Sequence, residues 1–104
     1  MDYNLIWKPE AEEEFDKLDH ALQKHAFTQL KKLKKSPQLG LPLGKKAGLD
    51  LTGFQKLYFS QKKYRIVYQL DEKNKKVIIW SIGKREDMKV YVEAVKRLRS
   101  LPSG

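Results

Sequence analysis

The stretch FQKLYFSQKKYRIVYQLDEKNKKVIIWSI, residues 54–82, decides the fold of this chain. Apolar and polar residues alternate in its first two segments, FQKLYF and YRIVYQL, which is the pattern of strands with one buried face. The third segment, KVIIWSI, is almost continuously apolar, as a strand covered on both faces would be. SQKK and DEKNK, which connect the segments, are short and polar, as antiparallel hairpins require. We therefore predict a three-stranded antiparallel meander over this stretch.

The residues before the meander predict one more strand and a helical hairpin. YNLIWK, residues 3–8, is short, apolar and β-favourable, so it is predicted as the first strand. Pro9 stands where a helix can begin, because the first helical position has no amide hydrogen bond to lose. A second helix is predicted from about Ala21 to Lys35, with lysines at the negative end of its dipole. Residues 36–53 hold two prolines and four glycines and are predicted to form a surface loop.

A last helix is predicted over about residues 86–100, where one stripe is apolar: Met88, Tyr91, Val92, Val95 and Leu98. Together the elements predict an α+β fold, with a small antiparallel sheet of about four strands, an N-terminal helical hairpin and a C-terminal helix. A chain of 104 residues is long enough for one modest core, so residues 1–104 are assigned to a single domain.

The net charge of +9 is concentrated in the C-terminal half of the chain. Residues 1–51 carry 9 Lys and Arg against 8 Asp and Glu, whereas residues 52–104 carry 13 against 5. Such a charge distribution attracts polyanions, although solubility alone also accounts for a basic surface. The sequence has no cysteine, no visible secretory signal and no apolar run of the roughly 18–20 residues that a membrane span needs. We expect a cytoplasmic protein without disulfides or a membrane partner.

Two features invite a metal-site interpretation, and each has a simpler one. Four glutamates, residues 10 and 12–14, crowd the first turns of the first predicted helix, where carboxylates favour the positive end of the dipole. His20 and His25 are five residues apart, so they do not share a helix face at the spacing of metal ligands. We predict no metal ion and no cofactor.

The hairpin lengths predict which side chains share a sheet face. If SQKK is a four-residue loop, Tyr58 lies opposite Arg65 and Lys56 lies opposite Val67. Residues directly opposite each other in an antiparallel pair share a face, so these four lie on one side of the sheet. The other side then carries an apolar set that suits packing against helices: Leu57, Phe59, Tyr64, Ile66, Tyr68 and Leu70.

The following hairpin extends the first of these faces into the last strand. Pairing Leu70 with Lys76 across DEKNK places Ser81 opposite Arg65, and period-two alternation then puts Arg85 on the same side. A one-residue slip in either turn would reverse the assignment. The registers thus predict a cationic sheet face with two arginines.

A cationic face of this kind suits RNA cleavage. The 2′-hydroxyl attacks the adjacent phosphodiester, and a planar guanidinium can hold two of the phosphoryl oxygens on which charge accumulates. Tyr91 is the remaining candidate for the base, provided that nearby guanidiniums favour its phenolate form. Each residue also has a structural interpretation: core packing for Tyr91, a solvated position for Arg85 and a structural ion pair for Arg65.

Five segments of the chain resemble the RelE toxins of bacterial and archaeal toxin–antitoxin pairs, within the RelE/ParE superfamily: WKPEAEEEFDKLD, LKKSP, YRIVYQ, IGKRE and VYVEAVKR. The resemblance covers nearly the whole length, and its C-terminal block is the specific part. It implies a RelE-like microbial RNase fold with an antiparallel sheet. It also implies an endoribonuclease that enters the ribosomal A site, cuts the exposed mRNA codon without a metal ion and is neutralised by a cognate antitoxin protein.

The resemblance implies a role for individual residues. Arg65 in YRIVYQ matches the arginine that stabilises the transition state, and Arg85 in IGKRE matches the arginine that assists the leaving 5′-oxygen. Tyr91 in VYVEAVKR matches the tyrosine proposed as general base, and Lys56 matches the first of two lysines in the preceding strand. Tyr58 stands where the family has the second lysine, so the cleavage rate is an open point.

Further cations are predicted to bind RNA or the ribosome, namely Lys62, Lys63, Lys84 and Arg97. The resulting hypothesis is a ribosome-dependent mRNA interferase with mRNA, the ribosome and an antitoxin as partners. Two alternatives remain open from the sequence: a ParE-like toxin that poisons DNA gyrase, or an inactive RelE homologue that only binds its antitoxin.

Overall fold

A computed structural model of the chain describes residues 2–46 and 49–84. Within these residues the chain forms a sheet, two α-helices and a single 3-10 turn at Pro37–Leu39. In chain order the elements are β1 (Asn4–Trp7), α1 (Pro9–Asp16), α2 (His20–Lys35), β2 (Leu41–Lys46), β3 (Leu49–Phe59), β4 (Tyr64–Asp71) and β5 (Lys76–Lys84). The predicted α+β class is confirmed. The helix predicted over about residues 86–100 lies outside the described residues.

The five strands lie in one sheet in the order β1-β5-β4-β3-β2. β2 to β5 pair antiparallel with their neighbours, whereas β1 pairs parallel with β5. The sheet differs from the predicted antiparallel sheet of about four strands in two details, because it is mixed and has a fifth strand. A parallel pair needs a long connection between its strands, because a short hairpin can join only antiparallel ones. The helical hairpin and three strands lie between β1 and β5 in the chain, and they provide that connection.

The extra strand lies in residues 36–53, for which the sequence predicts a loop. Prolines and glycines indicate irregular structure, but β2 is an edge strand, and an edge tolerates a proline that cannot donate to the ladder. The pairing of β2 with β3 shifts register between Pro42 and Gly44, and Gly44 has a φ of 58°. Glycine adopts this left-handed conformation readily. The prolines and glycines of this segment are thus compatible with a twisted edge hairpin.

Both helices begin as the sequence predicts and pack against one face of the sheet. Pro9 is the first residue of α1, and the side chain of Asp19 caps α2 by accepting a hydrogen bond from the Leu22 amide at 2.9 Å. The buried residues that the helices contribute to the core are Ala11, Ala26, Leu30 and Leu33. The sheet contributes Leu57, Phe59, Ile66, Tyr68, Val77, Ile79 and Ile82. This core face contains the apolar set predicted for helix packing.

The β3–β4 register is the predicted one, with Tyr58 opposite Arg65. The β4–β5 register is not, because Gly83 rather than Ser81 lies opposite Arg65. Leu70 pairs with Val77 instead of Lys76, and a bulge between β4 and β5 adds a second one-residue shift. Together the two shifts move the pairing by two residues, so beyond the bulge Ser81 and Gly83 still lie on the sheet face predicted for them.

Candidate active site

Arg65 is the second residue of the central strand β4 and lies on the sheet face opposite the core, which we call the cationic face. It is formed by residues of β3, β4 and β5 that alternate with the core residues: Lys56, Tyr58, Arg65, Val67, Ser81 and Gly83. Arg65 is only 3% exposed, with Tyr58 opposite it on β3 and Gly83 opposite it on β5. Strand pairing on both sides fixes the backbone from which the guanidinium extends, and a rigid support of this kind favours electrostatic stabilisation of a transition state.

Lys56 and Tyr58 occupy the β3 side of the cationic face. The Lys56 ammonium lies 5.1 Å from the centroid of the Tyr58 ring, within the range of a cation–π contact. Tyr58 is directly opposite Arg65, and Lys56 precedes Tyr58 by two residues on the same strand. The structure thus brings two of the predicted catalytic residues to one face, with an aromatic ring where the RelE resemblance implied a second lysine.

An aromatic cluster occupies the other end of this face. Trp80, which is 2% exposed, packs edge-on against Phe54 with ring centroids 5.5 Å apart, and its indole N–H donates to Gln69 Oε1 at 3.2 Å. The Lys8 ammonium lies 4.5 Å from the Trp80 ring. Trp80 is the additional residue of the β4–β5 bulge, since Ile79 pairs with Tyr68 and Ser81 pairs with Val67. This end of the face is therefore mainly aromatic, with Lys8 lying over it, and we call the opposite end, which carries Arg65, the cationic end.

Three of the predicted RNA-binding cations lie at the cationic end of the sheet. Lys62 and Lys63 are exposed in the β3–β4 turn, and Lys84 is exposed at the end of β5, opposite Tyr64. The turn is left-handed, with φ values of 52° at Ser60, 57° at Gln61 and 65° at Lys62. Positive φ is uncommon in residues other than glycine. The hairpin places these cations at the same end of the sheet as Arg65.

A cleft of about 670 Å³ adjoins this turn. His25 and Gln29 of α2 line one side of it, and Ser60 and Lys62 line the other. The side-chain amide of Gln29 donates to the Tyr58 carbonyl at 2.8 Å, which joins the helix to β3. The cleft thus places His25, for which the sequence predicted no chemistry, beside the turn that carries Lys62.

Glu14 makes a contact beside the candidate site that the sequence interpretation missed. The sequence groups it with the other glutamates as a match for the helix dipole, but its Oε1 accepts hydrogen bonds from Ser81 Oγ and from the Ile82 amide, both at 3.2 Å. The helical periodicity of the sequence indicates this orientation. Glu14 follows the buried Ala11 by three residues, so both lie on the side of α1 that faces the sheet.

Comparison with known proteins assigns the chain to a family. Residues 5–88 match the family model of the ParE toxin of the type II toxin–antitoxin system parDE. The mRNA interferase toxin RelE of Escherichia coli is 32% identical over an alignment that covers 94% of this chain and 99% of the relative. The mRNA interferase RelE of Shigella flexneri matches with the same identity and coverage. The chain belongs to the RelE/ParE toxin family.

Solved structures of RelE share the fold of this RelE-type toxin. The free form of an E. coli RelE variant with two arginine-to-alanine substitutions superposes with a TM-score of 0.74 and 31% identity, covering 94% of this chain and 99% of the other. The same variant in complex with a peptide of the antitoxin RelB gives a TM-score of 0.68 and 29% identity, covering 93% and 98% of the two chains. The family resemblance inferred from the sequence is confirmed.

The described part of the toxin contains only some of the predicted site. Arg85, Tyr91 and Arg97 lie outside the described residues.

In residues 2–46 and 49–84, no three His, Asp or Glu side chains lie close enough together to hold one metal ion. Neither helix in this part of the toxin has the length and apolar character needed to cross a lipid bilayer.

Proposed function

We propose that this toxin is a ribosome-dependent endoribonuclease that cleaves mRNA in the ribosomal A site and thereby inhibits translation in the cytoplasm. The observation that carries the proposal is the buried Arg65 on the cationic face, two strand positions from Lys56 and opposite Gly83, which leads by sequence into Lys84 and Arg85. The names of the E. coli and S. flexneri relatives, both mRNA interferases, support the same activity.

The proposed reaction is an internal transesterification. The 2′-oxygen attacks phosphorus, the bond from phosphorus to the 5′-oxygen breaks, and the products carry a 2′,3′-cyclic phosphate and a 5′-hydroxyl. Arg65 and Lys56 stabilise the charge that develops on the phosphoryl oxygens. Tyr91, as a phenolate, accepts the 2′-hydroxyl proton, and Arg85 assists the departing 5′-oxygen, which takes up a proton from water. These roles need no metal ion.

The distribution of positive charge supports binding of RNA, and similarity to RelE supports binding of an antitoxin. We propose that Lys62, Lys63, Lys84 and Arg97 bind RNA phosphates of the mRNA or the ribosome. A cognate antitoxin protein keeps the toxin inactive, as the E. coli RelE structure with a RelB peptide supports by similarity. Growth of the host cell requires such neutralisation.

A gyrase-poisoning activity is the alternative, because the matching family model describes ParE toxins. An antitoxin-binding homologue without cleavage activity is a further alternative, since Tyr58 replaces a lysine that the resemblance implies. Induced expression in cells, with mRNA 5′ ends mapped, separates the three. Cuts within translated codons that disappear in Arg85→Ala and Tyr91→Phe support the interferase. Growth arrest with DNA damage and intact mRNA supports the gyrase poison, and no arrest supports the inactive homologue.

Ribosome dependence has its own measurement. The purified toxin is incubated with one mRNA, either free or bound to programmed ribosomes with an empty A site. Cleavage confined to the ribosome-bound message is the expected result. Equal cleavage of the free message would contradict an A-site mechanism while leaving a ribonuclease activity in place.

A further inference from the structure

The second half of β5 has a helix, not a strand, on its outer side. β1 pairs with β5 only from Asn4 to Trp7, which is opposite Ile79, and the Lys8 amide donates to the Ile79 carbonyl at 3.0 Å. The chain then turns into α1, and β1 has no residue beyond this point to pair with Ser81 or Ile82. This half of the strand lies opposite Val67 to Tyr64 of β4. It therefore needs a hydrogen-bond acceptor from elsewhere for any amide that points outward.

Glu14 provides that acceptor. Its Oε1 receives the Ile82 amide and the Ser81 hydroxyl, each at 3.2 Å. Ser81 is 0% exposed and Ile82 is 3% exposed, so water does not satisfy these groups easily. A buried amide without a partner is costly, and a carboxylate acceptor makes a stronger bond than a neutral carbonyl. The carboxylate thus replaces a missing neighbouring strand at one point of β5.

The anchored point lies next to the proposed site. Gly83, which follows Ile82 directly, is opposite Arg65, and Arg85 follows Ile82 by three residues in sequence. We infer that Glu14 is a positioning residue, which fixes the end of β5 so that the chain beyond Gly83 starts at a set place relative to Arg65. The inference rests on the proposed ribonuclease function.

A positioning role makes a different prediction from proton transfer by Glu14. Glutamine keeps an oxygen that can accept both hydrogen bonds, but it cannot take up or release a proton at pH 7. Glu14→Gln should therefore recover most of the cleavage rate that Glu14→Ala loses. Misplacement of a reacting group by about 1 Å can cost about 100-fold in rate, so a loss of that order in kcat is expected for Glu14→Ala.

The experiment measures single-turnover cleavage of mRNA on programmed ribosomes by the full-length toxin. Glu13→Ala is the matched control, since Glu13 is an exposed neighbour on α1 that loses the same charge. The expected result is an unchanged rate for Glu13→Ala, a rate about 100-fold lower with little change in KM for Glu14→Ala, and near-normal cleavage for Glu14→Gln. Binding to an antitoxin and thermal unfolding verify that each variant is folded.

A double-mutant cycle with Arg85 tests the route of the effect. If Glu14 acts through the end of β5, then Glu14→Ala reduces the residual rate of Arg85→Ala much less than it reduces the wild-type rate. Three outcomes overturn the inference: Glu14→Ala cleaves like Glu13→Ala, Glu14→Gln is as slow as Glu14→Ala, or the two losses multiply fully. A wild-type toxin that cleaves no mRNA overturns the proposed function, and the inference with it.

Discussion

Gly40 and Tyr68 are in such close contact that position 40 has no room for a side chain. The Gly40 amide donates to Tyr68 Oη at 3.0 Å, and the Tyr68 hydroxyl donates to the Pro37 carbonyl at 2.8 Å. An ideal Cβ at residue 40 would lie 2.5 Å from Tyr68 Oη and 2.6 Å from the backbone oxygen of Lys56. This contact fastens the connection between α2 and β2 to the core side of the sheet that carries Arg65 on its other face.

Gly40→Ala is expected to destabilise the toxin, because one of the two clashing atoms belongs to the backbone of β3 and cannot move by a rotamer change. The expected loss is about 3 kcal/mol in the free energy of unfolding, at the upper end for overpacking. A domain of this size would then unfold more than about 10 °C lower. Urea and thermal unfolding measure the change. Leu39→Ala, at an exposed neighbouring position, is the control. Equal stability of both variants would contradict the close contact.

The Tyr68 phenol predicts a loss of stability at alkaline pH. Burial raises its pKa above the ordinary value of 10.0, although the hydrogen bond from Gly40 opposes this shift. A pKa that is higher in the folded state gives a stabilisation that is fully present below about pH 10 and is lost as the pH rises through the folded-state value. The free energy of unfolding should therefore fall more steeply above about pH 10 in the wild type than in Tyr68→Phe.

Tyr68→Phe also has an expected effect at neutral pH. It leaves the Gly40 amide and the Pro37 carbonyl without their partner, which costs about 1–3 kcal/mol. Because the other tyrosines are common to both proteins, their titration cancels in the difference between the two pH profiles. Parallel profiles between about pH 8 and 11 would show that Tyr68 titrates with the same pKa in the folded and unfolded states.

The position of Arg65 could be predicted from the sequence because two local signals agree. Residues 54–59 and 64–70 alternate apolar and polar residues, and the four residues between them suit only a short hairpin. The pairing of Tyr58 with Arg65 follows from these two facts. This pairing depends only on residues of the hairpin, so it can be predicted without knowing the contacts that the hairpin makes with the rest of the protein.

Long-range features could not be predicted in the same way. The bulge residue Trp80 packs its indole against Phe54 and Lys8, which come from β3 and from the residue before α1. Pro42 can belong to β2 because that strand is at the edge of the sheet. The local periodicity of a sequence does not reveal the order of the strands. Glu14 reaches a strand 67 residues away along the chain. Each feature is set by partners distant in sequence.

Arg65→Lys is expected to reduce cleavage while keeping the positive charge. Lysine offers a single ammonium in place of a planar fork that can hold two phosphoryl oxygens. The rate of the chemical step should fall at least about 100-fold, as when one preorganised donor to a transition state is removed. Single-turnover cleavage on programmed ribosomes measures the rate, and thermal unfolding controls for the burial of this residue. A rate within a few-fold of wild type would remove Arg65 from the proposed mechanism.

Lys56→Ala tests the second cation of the same face. Its ammonium lies over Tyr58, next to the strand position of Arg65, so its removal should lower kcat by about 10- to 100-fold through weaker stabilisation of the transition state. Lys8→Ala is a matched control, because Lys8 makes the same kind of contact with Trp80 at the aromatic end of the face. If both variants cleave as fast as the wild type, Lys56 does not belong to the site.

The lysines of the β3–β4 turn are expected to contribute binding rather than chemistry. Lys62 and Lys63 are exposed at the Arg65 end of the sheet, whereas Lys73 and Lys75 are exposed in the β4–β5 turn at the opposite end. Alanine at both Lys62 and Lys63 should raise KM for programmed ribosomes and reduce the slope of log affinity against log salt by about 1–2, one for each phosphate that is no longer neutralised. Single-turnover kcat at saturating ribosomes should stay near the wild-type value. The control with alanine at Lys73 and Lys75 removes the same charge, and an equal loss of affinity in this control would show that net charge, not the position of the turn, governs binding.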